Sequence, residues 1–209
     1  TVIKIYKVNE ARKSILNRQT LDDTTIPESL QQSINRLFEE ALTPEQAVAR
    51  ILGEVRRNGD MALRKWSERL DGSAPQNFRV TRQQLAKSVE SITPDQLEAL
   101  KTSAERIRRF YQHQSINSWI MQDGSGTLGQ VIRPIKRVGI YVPGNAAPLA
   151  STVLMSAVPA QVAGVPEIVV TAPPQRETGQ VAPIILAACE ILGINEVYSL
   201  GGAQAIGAL

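Results

Sequence analysis

Cysteine is nearly absent from this chain. A single thiol, Cys189, among 209 residues leaves no internal disulfide framework and fits a reducing compartment, so a cytoplasmic location is expected. Histidine is as scarce. With His113 alone there is no HxxxH, no CxxC and no second imidazole from which to build a zinc site. No apolar run approaches the roughly 20 residues that cross a bilayer. The opening stretch TVIKIYKVNEARKS lacks the apolar core and small-residue cleavage site of a signal peptide. Charge of one sign is never concentrated. The 23 basic and 20 acidic residues are mixed along the chain for a net charge of +3, with no basic run and no aromatic-basic interleaving, so neither nucleic acid nor membrane is expected as a partner. The standard phosphate cradles, GxGxxG after a strand and GxxxxGKS/T, are missing too. No Ser-His-Asp or Cys-His set can be argued from residue order. Cys189 sits among Ile185, Leu186, Ala188 and Leu192 on a helical stretch, the setting of a core thiol, and His113 falls near the end of a long helical pattern.

What is present is ordinary globular material. Apolar residues make up 43% and charged residues 21%, enough for one large domain or two small ones with a real core. The expected fold class is α/β in three stretches: a mainly helical region over 1–117, a β-hairpin and linker over 118–136, and a parallel-sheet unit over 137–209. Thr43-Pro44-Glu45-Gln46 and Thr93-Pro94-Asp95-Gln96 are helix starts, with a hydroxyl cap, Pro at the first position and Gln three residues on. Val48, Ile51, Leu52 and Val55 follow the first at helical spacing; Leu97, Leu100, Ala104, Ile107 and Phe110 follow the second. Gly59 stops the first helix, and Asp60 is expected to cap a helix whose stripe is Met61, Leu63, Trp66 and Leu70. From Ser118 the period changes. Asp123-Gly124-Ser125-Gly126 between short apolar runs predicts a hairpin. Strand-like 138–142, 168–171 and 197–200 alternate with helical 151–163, 181–192 and a helix begun at Ala203, the grammar of parallel strands with right-handed crossovers. Pro159 predicts a kink or early break in the first of those helices. Three such strands are half of a doubly wound sheet, so the sequence is expected to be the N-terminal part of a longer protein.

Open parallel sheets bind ligands beyond the carboxyl ends of their strands. Here those ends read Tyr141-Val142-Pro143-Gly144-Asn145, Thr171-Ala172-Pro173-Pro174 and Leu200-Gly201-Gly202-Ala203-Gln204. Two of the loops carry Gly, where backbone can approach a ligand closely. Helix N-termini follow, with no acidic residue between Val138 and Gln161 to repel an anion. Tyr141 offers a flat face and Gln204 both a donor and an acceptor. The same pattern also suits glycines that only make tight turns and a tyrosine packed under a loop; on spacing alone the two readings stand level.

The motifs RPIKRVGIYVPG (133–144), APLASTVLMSAVPAQVAGVPEIVVTAPP (147–174) and GGAQAIGAL (201–209), with GDMALRKWSERLDG (59–72) before them, resemble histidinol dehydrogenase. The resemblance covers most of this chain and about the first half of a typical member. It implies NAD-dependent oxidation of L-histidinol through the aldehyde to L-histidine, in the closing steps of histidine biosynthesis, by a zinc-dependent homodimer. It implies that the sheet is an incomplete Rossmann-like unit similar to that of aldehyde dehydrogenases, with Tyr141 and Gln204 contacting NAD. By the same resemblance the zinc ligands, the Glu-His pair that moves protons and a further NAD-contacting Asn lie downstream of Leu209. No catalytic or metal-binding residue is therefore expected here, and the chain alone is expected to be inactive. Asn145 stands where the family reads a second glycine; Asn tolerates left-handed backbone, so the turn is expected to survive. The competing reading is a non-catalytic nucleotide-binding or scaffolding fragment.

Overall fold

The computed structural model describes residues 4–17, 26–114, 117–144 and 147–209. The chain forms two compact units, Thr1–Ala47 and Val48–Leu209. In the first, α1 (Val8–Lys13) and α2 (Glu28–Phe38) are followed by the start of α3 (Pro44–Asn58). Ile34, Leu42 and Ala47 form a small buried cluster with Phe38 against it. The helix start at Thr43 is as read: the Gln46 N–H donates to Thr43 Oγ1 and the Thr43 N–H to Gln46 Oε1.

The second unit holds the sheet. α3 ends before Gly59, whose φ of +51° only glycine adopts without strain. α4 (Asp60–Asp71) follows at once, and here the expectation is corrected. Asp60 is the first helical residue, and the cap position belongs to Gly59, which has no side chain to offer. Asp60 instead places its charge at the positive end of the helix. The buried face of α4 carries Leu63 and Trp66 as read, but also Ser67 and Asp71, while Met61 points to solvent. α5 (Arg82–Glu90) and α6 (Pro94–Gln112) both start with complete capping boxes, Thr81 with Gln84 and Thr93 with Gln96. On α6, Leu100 and Ala104 are buried but Phe110 is exposed. The hairpin forms where expected, β1 (Trp119–Asp123) against β2 (Gly126–Gln130). Asp123 Oδ1 accepts from the backbone N–H groups of Ser125 and Gly126 across the turn.

Then come β3 (Arg137–Tyr141), α7 (Ala150–Val162), β4 (Glu167–Ala172), α8 (Pro183–Ile191), β5 (Glu196–Ser199) and α9 (Gly202–Ala208). The strands pair in parallel in the order β3-β4-β5, a mixed α/β fold with a parallel sheet. The predicted break at Pro159 does not occur; α7 runs through it. Proline removes the donor that would meet the Met155 carbonyl, a loss of one bond near the end of the helix. Ile140, Val170 and Val197 point from the strands into a core shared with Leu85, Leu100, Val153, Ala157, Ile185 and Cys189 of α5–α8. Alternation sends Gly139 and Tyr141, Val169 and Thr171, and Tyr198 to the opposite face, where α9 packs against α4.

One feature was not legible in the sequence. The outer edge of β5 is closed by residues 78–80, running antiparallel. The Val80 N–H donates to the Val197 carbonyl at 2.8 Å and the Ser199 N–H to the Phe78 carbonyl at 2.7 Å, with Arg79 opposite Tyr198. Among the described residues, no strand pairs with the outer edge of β3.

Candidate functional site

The strand pairing continues past the strands into their carboxyl-end loops. The Val142 N–H donates to the Thr171 carbonyl at 2.8 Å, and the Leu200 N–H to the Ala172 carbonyl at 2.9 Å. The three loops that follow then meet at Pro173. A Cβ added to Gly144 would stand 3.5 Å from the Pro173 carbonyl oxygen, in ordinary contact. One added to Gly201 would stand 2.6 Å from Pro173 Cβ and 3.0 Å from Asp71 Oδ1, closer than packed atoms tolerate. Gly201 is thus required by space, and Gly202 by its φ of +61°. A side chain at 202 would also strike Gln204 Oε1. Asn145, in the first of these loops, lies outside the described residues.

Tyr141 ends β3 on the sheet face away from the core helices and is partly exposed. It pairs across the sheet with Thr171, which pairs with Tyr198. Thr171 is 1% exposed, and its hydroxyl oxygen has no hydrogen-bond partner among the described residues. Gln204 lies in the first turn of α9 with no exposed surface. Its Nε2 donates to Asp71 Oδ2 over a long 3.4 Å, and its Oε1 has no partner among the described residues. A buried amide oxygen left bare costs about 1–3 kcal/mol. It is the most conspicuous unmet polar group beside these loops. Asp71 comes from the last residue of α4 and is 3% exposed. Sequence reading missed Asp71 and placed Thr171 only as the start of a strand-end loop, with no role for its hydroxyl. Nothing in the spacing of the strand-end loops points to a carboxylate 133 positions upstream of Gln204.

α5 and α6 are boxed by their own side chains, whereas α7 and α8, which leave the ends of β3 and β4, have no side-chain cap. Their first turns are largely satisfied by backbone instead: the Ala150 N–H donates to the Pro148 carbonyl, the Thr152 N–H to the Leu149 carbonyl and the Ile185 N–H to the Ala182 carbonyl, while Pro183 has no N–H to offer. Two cavities flank the sheet. One of about 550 Å³ is lined by Phe78, Lys87, Gln180 and Ser199. The other, of about 510 Å³, lies over the outer sheet face and is lined by Gly139, Val169, Thr171, Tyr198 and Leu209. Neither Tyr141 nor Gln204 lines either of them. The loop contacts through Pro173, and not cavity size, define this site.

The remaining reactive side chains stand apart from it. Burial pushes the Cys189 thiol up to about 12, which keeps it protonated and unreactive. His113 is exposed at the end of α6. Among the described residues, no group of three or more His, Cys, Asp or Glu side chains could hold a metal ion, and no helix is long and apolar enough to cross a membrane.

A family model described as histidinol dehydrogenase matches residues 35–209. Histidinol dehydrogenase of Deinococcus radiodurans is 47% identical over 207 residues, which is 99% of this chain and 46% of that protein. The one from Moorella thermoacetica is 42% identical over 165 residues, 78% of this chain and 39% of that protein. The crystal structure of histidinol dehydrogenase from Elizabethkingia anophelis superposes with a TM-score of 0.75 at 31% identity, covering 88% of this chain and 42% of that one. The chain spans less than half the length of these relatives.

Proposed function

The chain belongs to the histidinol dehydrogenase family, and from that premise we propose that it is the NAD-holding part of an enzyme that oxidises L-histidinol through the aldehyde to L-histidine. In this reading residues 137–209 are an incomplete Rossmann-like unit, akin to that of aldehyde dehydrogenases, and the dinucleotide lies across its strand ends. The observation that carries the proposal is the closure of the three strand-end loops on Pro173, with the bare Gln204 oxygen buried beside them.

The residues present fit NAD. Gly144 and Gly201 keep the loop backbones low, Tyr141 gives a face for a ring, and Gln204 gives a hydrogen bond. When bound, NAD supplies the hydride acceptor. Tyr141 and Gln204 hold and orient it; neither moves a proton. Zinc, in contrast, does not fit the described residues, which contain no ligand set for it. The metal site, the acid-base pair and the histidinol pocket are assigned to sequence outside these 209 residues, and the whole enzyme to a homodimer in the cytoplasm.

Titration with NAD, followed by tryptophan and tyrosine fluorescence, tests the site. Tyr141→Ala and Gln204→Ala are each expected to weaken binding by about tenfold, the loss of one stacking or hydrogen-bonding contact. Unaltered affinity in both variants would remove the dinucleotide from these strand ends.

A further inference from the structure

We infer that Asp71 is a positioning residue: it fixes which end of the Gln204 amide faces the nucleotide, so that Gln204 acts there only as a hydrogen-bond acceptor. The inference rests on the reading of Gln204 as an NAD contact and goes one step further, to the chemical group of NAD that Gln204 takes.

An amide side chain can turn either end to its neighbour, and its two ends differ in kind: the oxygen accepts and the nitrogen donates. Here the geometry makes the choice: the nitrogen end donates to Asp71 Oδ2, and the oxygen end is turned away from it. Asp71 Oδ2 lies 3.4 Å from Gln204 Nε2, both residues are buried, and the remaining amide oxygen is bare. The flipped amide would set two oxygens against each other in a site without water's screening. Asp71 is itself held in place. It ends α4, α4 packs against α9, and its carboxylate fills the space beside the missing Gly201 side chain, 3.0 Å from where that Cβ would be. The same wedge that closes the glycine turn therefore aims the amide. What Gln204 Oε1 takes from the dinucleotide must be an O–H or N–H, such as a ribose hydroxyl or an amide or amino hydrogen. A phosphate oxygen is excluded.

The test reverses the polarity of the pair in the full native protein and reads NAD affinity. Asp71→Asn removes the acceptor-only neighbour, and Gln204→Glu alone sets two carboxylates face to face. Each is expected to weaken NAD binding about tenfold or more. Combining them restores the geometry: the amide introduced at position 71 donates to one oxygen of the carboxylate introduced at position 204 and leaves the other oxygen as an acceptor for NAD. The double variant is expected to recover most of the affinity lost in Gln204→Glu, a rescue that lost folding or lost bulk would not produce. If Asp71→Asn does not fold, the comparison of Gln204→Glu with the double variant still decides. A double variant that binds no better than Gln204→Glu overturns the positioning role, as does an Asp71→Asn protein that binds like wild type. Unchanged affinity in Gln204→Ala would instead remove Gln204 from the site, a separate failure belonging to the underlying assignment.

Discussion

Gly201 concentrates the steric demands of the site in one position. Its φ is ordinary, so a side chain there is excluded by its neighbours and not by its backbone. Gly201→Ala pushes a methyl group into Pro173 and Asp71 together, and neither can withdraw without opening a buried contact. Overpacking of this kind costs about 1–3 kcal/mol. Thermal unfolding of Gly201→Ala should therefore begin several degrees lower, while Gly179→Ala, whose Cβ meets nothing within 4 Å, is the comparison for a strained glycine in open space. At this scale the sequence was partly readable. Tyr141 and Gln204 stand in recognisable strings directly after strands, so local order finds them. Asp71 and Thr171 matter through what they face across the fold. Asp71 reads as the last residue of a helix before Gly72, and Thr171 as one more residue of a buried strand.

Helix boundaries follow rules that are written locally, which is why most of them could be anticipated. Thr-Pro-x-Gln predicts the starts of α3 and α6 because all the participating groups lie within four positions, and the bonds are present at 2.9–3.3 Å. Replacing Thr93 by Ala takes away the acceptor of the Gln96 N–H in the first turn of α6 and should lower stability by about 1 kcal/mol in chemical denaturation. The errors arose where a local rule met a neighbouring element. Asp60 has the chemistry of a cap, but the left-handed turn at Gly59 lets α4 begin one residue early. Pro159 has the chemistry of a break, but it falls near the end of α7, where one missing bond is cheap. The strands are tied in a way no local pattern announces. At their amino ends Arg137 of β3 bonds Glu167 of β4 at 2.7 Å and Glu196 of β5 at 2.5 Å. The hydrogen bond from Arg137 holds the Glu196 carboxyl below the usual carboxylate range. Its stabilising contribution is therefore present above the ordinary Glu value of about 4.3 and is lost as pH falls through the lowered one. Because the pair is partly exposed, the effect is modest. Unfolding temperatures measured from pH 6 down to about pH 3 should drop less steeply in Arg137→Ala than in the wild type.

At the scale of the whole molecule, the parallel sheet and its helical neighbours were legible because apolar period and turn residues agree along 137–209. The division of the chain after Ala47 and the antiparallel seam at β5 were not, since both depend on distant contacts. Turnover belongs to this scale as well. With no zinc ligand set among the described residues, the 209-residue chain mixed with histidinol, NAD and zinc should produce no NADH in an absorbance assay. Sustained NADH formation would mean that the catalytic groups had been assigned to the wrong part of the protein.

The seam at β5 also joins an early and a late stretch of this unit, in the order in which the polypeptide is made. Residues 78–80 and α5 leave the ribosome early, yet their partners arrive late: Arg82 pairs with Glu190, 108 positions further on, and Val80 waits for Val197. Until β5 emerges, Leu85 has no finished core to enter and the seam segment keeps its amides in water. The contacts that complete this unit therefore span more than a hundred positions, and pairings of such long separation are the kind that form slowly and leave a growing chain in need of protection from aggregation.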